Sequence, residues 1–375
     1  MYAATPRTVH RRPSCLPAAA LICLLVAGCR PTAGTPAVAP VADQADLCGR
    51  IEKVLAHARD GRRLDASVHG AWQVVHGILA FGPDFPIAHD GQTSAALDYL
   101  LGGGPLTGWQ LRPGDHGVLA VVEEGSTTGQ GHPDQWLGYL SQCGLTGIPL
   151  DTRLVVGGRD YTVRDLLEQA QADVRPGREA TWTLMGLATY LPPDTSWRAS
   201  DGETWTTERV VEMEAEADLS TSACGGAHRL YGLALALQRF MVATRTPRDR
   251  LAGGWAAAAD TIDDAIDRAR RFQQADGSFS THYFDRPGTS PDVFAKLGAT
   301  GHIFEVLALA LDDEELSEPW ITRAAERLVT LLERTSDVDV ECGALYHAVH
   351  GLLLYKQRRC PDPAGPPAAV SNSTR

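Results

Sequence analysis

Leu230-Tyr231-Gly232-Leu233-Ala234-Leu235-Ala236-Leu237 is the stretch that decides the fold. As a helix it makes two turns with no polar side chain on any face, so it must be surrounded by protein. Residues 257–273 read differently. There Ile262, Ala265, Ile266, Ala269 and Phe272 recur at i, i+3, i+4, i+7 and i+10, while Asp263, Asp264, Asp267, Arg268 and Arg270 fill the remaining faces. That pattern is a helix half in water. Working outward, the two kinds alternate six times. Half-wet stretches lie near 45–58, 92–101, 161–174, 204–217, 257–273 and 318–334. More uniformly apolar ones lie near 67–80, 133–142, 180–190, 226–241, 301–311 and 343–356. Six buried helices alternating with six half-buried ones predict an all-α (α/α)6 toroid, the first set inside and the second outside. A helical solenoid or an irregular bundle would use the same elements. The Gly/Pro-rich segments 102–132 and 276–300 read as long loops over the mouth. Residues 118–123 and 154–163, the latter with Gly157-Gly158 inside, read as short strands or a hairpin.

Composition limits function. The chain has 375 residues, 44% of them hydrophobic, enough for a sizeable core and too much for a disordered chain. Its formal charge is −12. That excludes nucleic acid as the main partner, since phosphate backbones bind basic surfaces. The N-terminus reads as an export signal over 1–28. Arg7, Arg11 and Arg12 precede an apolar run at 16–27 that is too short to span a bilayer. The run ends in Leu25-Val26-Ala27-Gly28-Cys29, which resembles the bacterial lipobox. That resemblance makes Cys29 the acylated first residue of the mature chain and the membrane, at the cell envelope, its partner. The alternative is a signal peptide cut nearby, with Cys29 incidental. Removing 1–28 lowers Lys plus Arg from 34 to 31 and leaves a charge of −15. Residues 29–44 then form a tether, 45–358 the domain, and 359–375 a disordered tail. There is no C-x-x-C, which disfavours a zinc ribbon and a thioredoxin-like pair. In an oxidising envelope Cys48 and Cys360 would staple the two ends of the domain.

Arg271-Phe272-Gln273-Gln274-Ala275-Asp276-Gly277-Ser278-Phe279 resembles the Q-x-x-D-G-S-[FW] repeat of the squalene cyclases, terpenoid cyclases and protein prenyltransferases. In that superfamily the Gln and the aromatic tie an outer helix to the following turn, so the resemblance implies a structural role and an α/α toroid. The whole chain is similar to a group of bacterial lipoproteins known mainly from planctomycetes. The similar stretches are 69–77, 129–136, Ala223-Cys224-Gly225-Gly226-Ala227-His228-Arg229-Leu230, Thr300-Gly301-His302 and Glu341-Cys342-Gly343-Ala344-Leu345-Tyr346-His347. Some members are labelled GTPase-activating proteins for ADP-ribosylation factors. The four-cysteine zinc finger of that domain is absent here, and an exported chain would not meet cytosolic GTPases. The superfamily's prenyltransferases hold zinc with Asp, Cys and His. Asp339-Val340-Glu341-Cys342 is one residue too long for their Asp-x-Cys. The cyclases' D-x-D-D acid is also incomplete, because Thr261 precedes Asp263-Asp264 and Asp337-Val338-Asp339-Val340 lacks the last acid.

Histidine placement carries the most chemistry. His69 and His76 flank Trp72 at i, i+3, i+7 on one expected helix face. His132, His228, His302 and His347 lie at or near the starts of other inner helices. In a toroid those starts converge, and their dipoles favour anions and keep imidazole neutral, able to act as base or ligand. The alternative is that each His caps or packs its own helix. Glu305, three residues after His302, is the expected acid/base partner, and Glu341 and Asp134 lie near other histidines. Cys224 with His228, and Cys342 with His347, carry the donor types of a zinc site. Trp72, Trp136 and Trp182 begin inner helices and suit either sugar stacking or core packing. His282, Tyr283 and Arg286 suit a lid or rim. Three readings follow: an enzyme with a His-rich cavity at the inner-helix N-termini, zinc its one candidate cofactor; a non-catalytic binding or scaffold module; or a glycan-active hydrolase or lyase. A small molecule or glycan is the expected ligand.

Overall fold

In the computed structural model residues 43–122, 134–144 and 146–360 are described. The expected signal, Cys29, most of the tether, His132, and the tail from 361 lie outside them. The chain is mostly helical, 57% helix and 11% strand, with twelve α-helices among the described residues. Six are the half-wet set: α1 (Gln44–Ala56), α3 (Ala96–Leu101), α5 (Val163–Asp173), α7 (Thr207–Ala215), α9 (Gly253–Phe272) and α11 (Pro319–Arg334). Six are the apolar set: α2 (Ala71–Phe81), α4 (Gln135–Leu140), α6 (Thr181–Tyr190), α8 (Ala227–Thr244), α10 (Val293–Ala310) and α12 (Cys342–Arg359). The patterning holds in detail. Ile262, Ala265 and Ala269 of α9 are buried while Asp263, Asp264 and Asp267 are exposed, and every residue of α8 from Ala227 to Leu237 is buried. Each apolar helix packs on the next, α2 on α4, α4 on α6, α6 on α8, α8 on α10 and α10 on α12, and α12 packs on α2.

Two boundaries differ from the sequence reading. α10 begins at Val293, so the expected loop 276–300 loses its last third. Asp292 caps that start by accepting from the Phe294 N–H at 2.9 Å. Gly298 and Gly301 lie inside the helix, and at Gly301 α12 approaches closely. A Cβ on Gly301 would meet Ala348 backbone at 3.0 Å, and one on Gly351 would meet Glu305 backbone at 3.0 Å. The expected loop 102–132 holds a hairpin of β4 (Trp109–Pro113) and β5 (Val118–Val122). The other expected hairpin is β6 (Arg153–Val156) and β7 (Arg159–Thr162), turning on Gly157 and Gly158, both at positive φ.

A recurrence escaped the sequence reading. β2 (Pro86–His89) pairs with β3 (Gln92–Ala95), which runs straight into α3, and β1 (Leu64–Asp65) extends that sheet. Likewise β7 runs into α5, and β8 (Ser196–Arg198) pairs with β9 (Thr204–Thr206), which runs into α7. The turns Asp90-Gly91, Gly157-Gly158 and Asp201-Gly202 precede these junctions. Thr162 and Thr206 then cap α5 and α7.

The Gln273 motif acts structurally. Gln273 Nε2 donates to Gly277 O (3.1 Å) and Trp320 O (2.8 Å), and buried Phe279 meets the Trp320 ring edge-on. Asp276 pairs with Lys296 and Arg327. Together these contacts tie the end of α9 to α10 and α11. The two ends of the domain are joined by a Cys48–Cys360 disulfide, as expected. Helix α12 therefore runs past the expected domain limit of 358.

Candidate functional site

The close α10–α12 crossing brings three of the expected residues together, His302, Glu305 and His347. On α10, Glu305 is 3% exposed and lies between two imidazoles of α12. His347 Nδ1 is 2.7 Å from one carboxylate oxygen and His350 Nδ1 is 2.6 Å from the other. Burial alone would raise this acid. The two imidazoles outweigh it and hold the carboxyl at about 2. One turn before, His302 donates Nδ1–H to Gly298 O at 2.7 Å. Its expected partnership with Glu305 is therefore replaced: the carboxylate serves α12, and His302 is oriented by its own helix.

From α8, His228 places Nε2 3.2 Å from His347 Nε2. The His302 ring centre lies 4.2 Å from that of His347 and 5.2 Å from that of His228. Just before α8, Cys224, Gly225 and Gly226 all have positive φ, at 50°, 59° and 81°. A cysteine in this region is uncommon, and such conformations concentrate at functional sites. A Cβ on Gly225 would fall 2.3 Å from Tyr283 Cβ, so only glycine lets the Tyr283 loop close over the turn. Tyr283, itself at φ 52°, and His302 both lie beside the Cys224 thiol. Burial pulls His302 down, but the neighbouring Cys224 sulfur and the Gly298 carbonyl raise it to about 9. Donor atoms of Cys224, His228 and His302 lie within 4.8 Å of one another, so this group can hold a metal ion.

The remaining expected residues divide. His76 of α2 is buried beside the cluster, its ring 5.1 Å from that of His347. Both its nitrogens are engaged, Nδ1 donating to Trp72 O (2.6 Å) and Nε2 accepting from Tyr139 OH (2.9 Å). His69 precedes α2, so it shares no helix face with His76, and its Nδ1 lies 2.9 Å from the Asp65 N–H. Glu341 caps α12, accepting from the N–H groups of Gly343 (2.9 Å) and Ala344 (2.8 Å). Cys342 is buried outside the donor group, and burial pushes its thiol up to about 12. Asp134 accepts from Thr183 Oγ1. Trp136 and Trp182 are buried and pack in the core, which removes them as sugar platforms; Trp182 sits between Tyr139 and His228. Trp72 is half-buried against His76.

The cluster is also deeper than expected. His228 is the second residue of its helix, but His302 is the tenth and His347 the sixth. Burial lowers both His302 and His347; the Cys224 sulfur and the Gly298 carbonyl outweigh it at His302, while at His347 the Glu305 carboxylate does not. A surface cavity of about 670 Å³ is lined by Gly225, His282 and Tyr283, while Cys224, His228 and His302 do not line it. Asp218, Asp260, Asp264 and Asp285 also line it. Arg286 lies outside it, paired with Asp285. His350 and Tyr139 complete the site. The i, i+3 spacing of His347 and His350 was the signal for the first; nothing local signals the second. No family model, curated protein or solved structure matches this chain.

Proposed function

We propose that the chain is a zinc-dependent enzyme carried on a lipid anchor at the cell envelope, built as an α/α toroid of the terpenoid cyclase and prenyltransferase kind. The observation that carries this reading is the convergence of Cys224, His228 and His302, next to the Gly225 turn and Tyr283 loop that line an open cavity. Three protein donors of mixed sulfur and nitrogen type is the ligand count of a catalytic zinc, which leaves one position for substrate or water. Zinc bound there would polarise a carbonyl or a water for hydrolysis or addition.

Two further observations support it. The consecutive packing of α2, α4, α6, α8, α10 and α12, returning to α2, fits a toroid. The Cys48–Cys360 disulfide fits an oxidising compartment. In that compartment a half-buried free thiol such as Cys224 is a liability unless a cation or a reaction uses it. Within the cavity Asp264 and Asp285 are paired with Arg268 and Arg286, while Asp218 and Asp260 carry no ion pair among the described residues. The walls therefore favour a neutral or cationic small molecule, or a glycan, over an anion.

Elemental analysis of the purified chain after zinc reconstitution and dialysis tests this. One zinc per chain is expected in the wild type and none in a Cys224→Ser/His302→Ala double variant. A wild-type chain that retains no zinc overturns the reading.

A further inference from the structure

Cys224, His228 and His302 form a donor group to which His347 does not belong, although its Nε2 lies only 3.2 Å from His228 Nε2. We propose that His347 is not a ligand of the cation but the positioning residue of the ligand His228, acting through a buried Glu305–His347–His228 relay. This rests on the zinc reading above and specifies what holds its ligands in place.

The argument follows the hydrogens. An ionised carboxylate only accepts, so Glu305 takes Nδ1–H from both His347 (2.7 Å) and His350 (2.6 Å). A neutral His347 with its hydrogen on Nδ1 offers only a lone pair at Nε2. In the contact with His228 the hydrogen therefore belongs to His228 Nε2. That leaves His228 Nδ1 as the nitrogen presented to a cation. Ligand histidines are commonly held this way: the second ring N–H donates to an acceptor, which fixes the tautomer, aims the ring and makes the ligand nitrogen more basic. His302 has the same construction with a shorter relay, Nδ1–H donating to Gly298 O and Nε2 remaining for the cation. His350 holds the second oxygen of Glu305, so the carboxylate cannot rotate away from His347. All members of the relay are nearly inaccessible: Glu305 is 3% exposed, His347 2%, and His228 and His350 8% each.

The test uses the full purified chain in two measurements. In zinc-loaded wild type labelled with nitrogen-15 histidine, long-range proton–nitrogen correlation should show one histidine bound through Nδ1 with its proton on Nε2, and one bound through Nε2. Assignment by His228→Gln and His302→Gln should identify the first as His228. Zinc affinity, read by competition with a chromogenic chelator, should fall about 10- to 100-fold in His347→Gln and Glu305→Gln, the range for a lost outer partner. Glu305→Asp should recover part of it, and cobalt(II) in each variant should keep the spectrum of the wild type. Zinc bound by wild type through His228 Nε2 overturns the proposal. So does complete loss of zinc in His347→Gln, which would make His347 a ligand, or an unchanged affinity. If wild type takes up no zinc, the zinc reading itself has failed, and that outcome is distinct from these.

Discussion

His302 shows how much chemistry a residue's identity carries and where it stops. Its presence in the site was legible, because histidine beside glycine in an apolar helix has few uses. Its partner was not legible. Spacing made Glu305 the obvious choice, yet the acid turns to α12, where two imidazoles satisfy both oxygens, and a carbonyl one turn back serves His302. Asp134 offers a test at the same scale. Desolvation raises its carboxyl from near 3.8 to about 6 against the pull of the Thr183 hydroxyl. An acid whose folded-state value is raised binds its proton more tightly when folded. Stability is then fully present below the unfolded value and is lost as pH rises through the folded one, here between about 4 and 6. Asn tolerates the left-handed conformation of this position (φ 63°) and cannot ionise. Urea unfolding of Asp134→Asn should show a gain of about 1–2 kcal/mol at pH 7, a value discounted for half-burial, and no gain near pH 3.5.

The helices follow from local patterning, the half-wet ones from periodicity and the buried ones from the lack of a polar face. The start of α10 did not, because 276–300 reads as a Gly/Pro-rich loop. The reason for Gly301 lies on α12, whose backbone passes too close for a side chain there. That contact places His302 and Glu305 opposite His347 and His350. Gly301→Val should therefore destabilise the fold by about 1–3 kcal/mol through overpacking and lower zinc uptake as well. Urea unfolding and elemental analysis read the two effects. Unchanged stability would mean that the crossing relaxes at no cost.

Across the molecule, the disulfide joins the first and last helices over 312 residues of sequence. Opening it frees both ends, and a Cys48→Ala/Cys360→Ala variant should lose about 2–5 kcal/mol in urea unfolding. An equally stable variant would show that helix packing alone holds the ends. The sequence by itself determined the helical class, the alternation of half-wet and buried helices and a histidine-rich interior. Each of these is a property of one stretch or of residue types. The tertiary structure alone decided that Cys224 joins His228 and His302 while Cys342 packs in the core, that Glu341 caps a helix, and that Glu305 serves His347 and His350. Those outcomes depend on how helices far apart in sequence are placed against one another, and a periodic pattern records which face is buried but not what it is buried against.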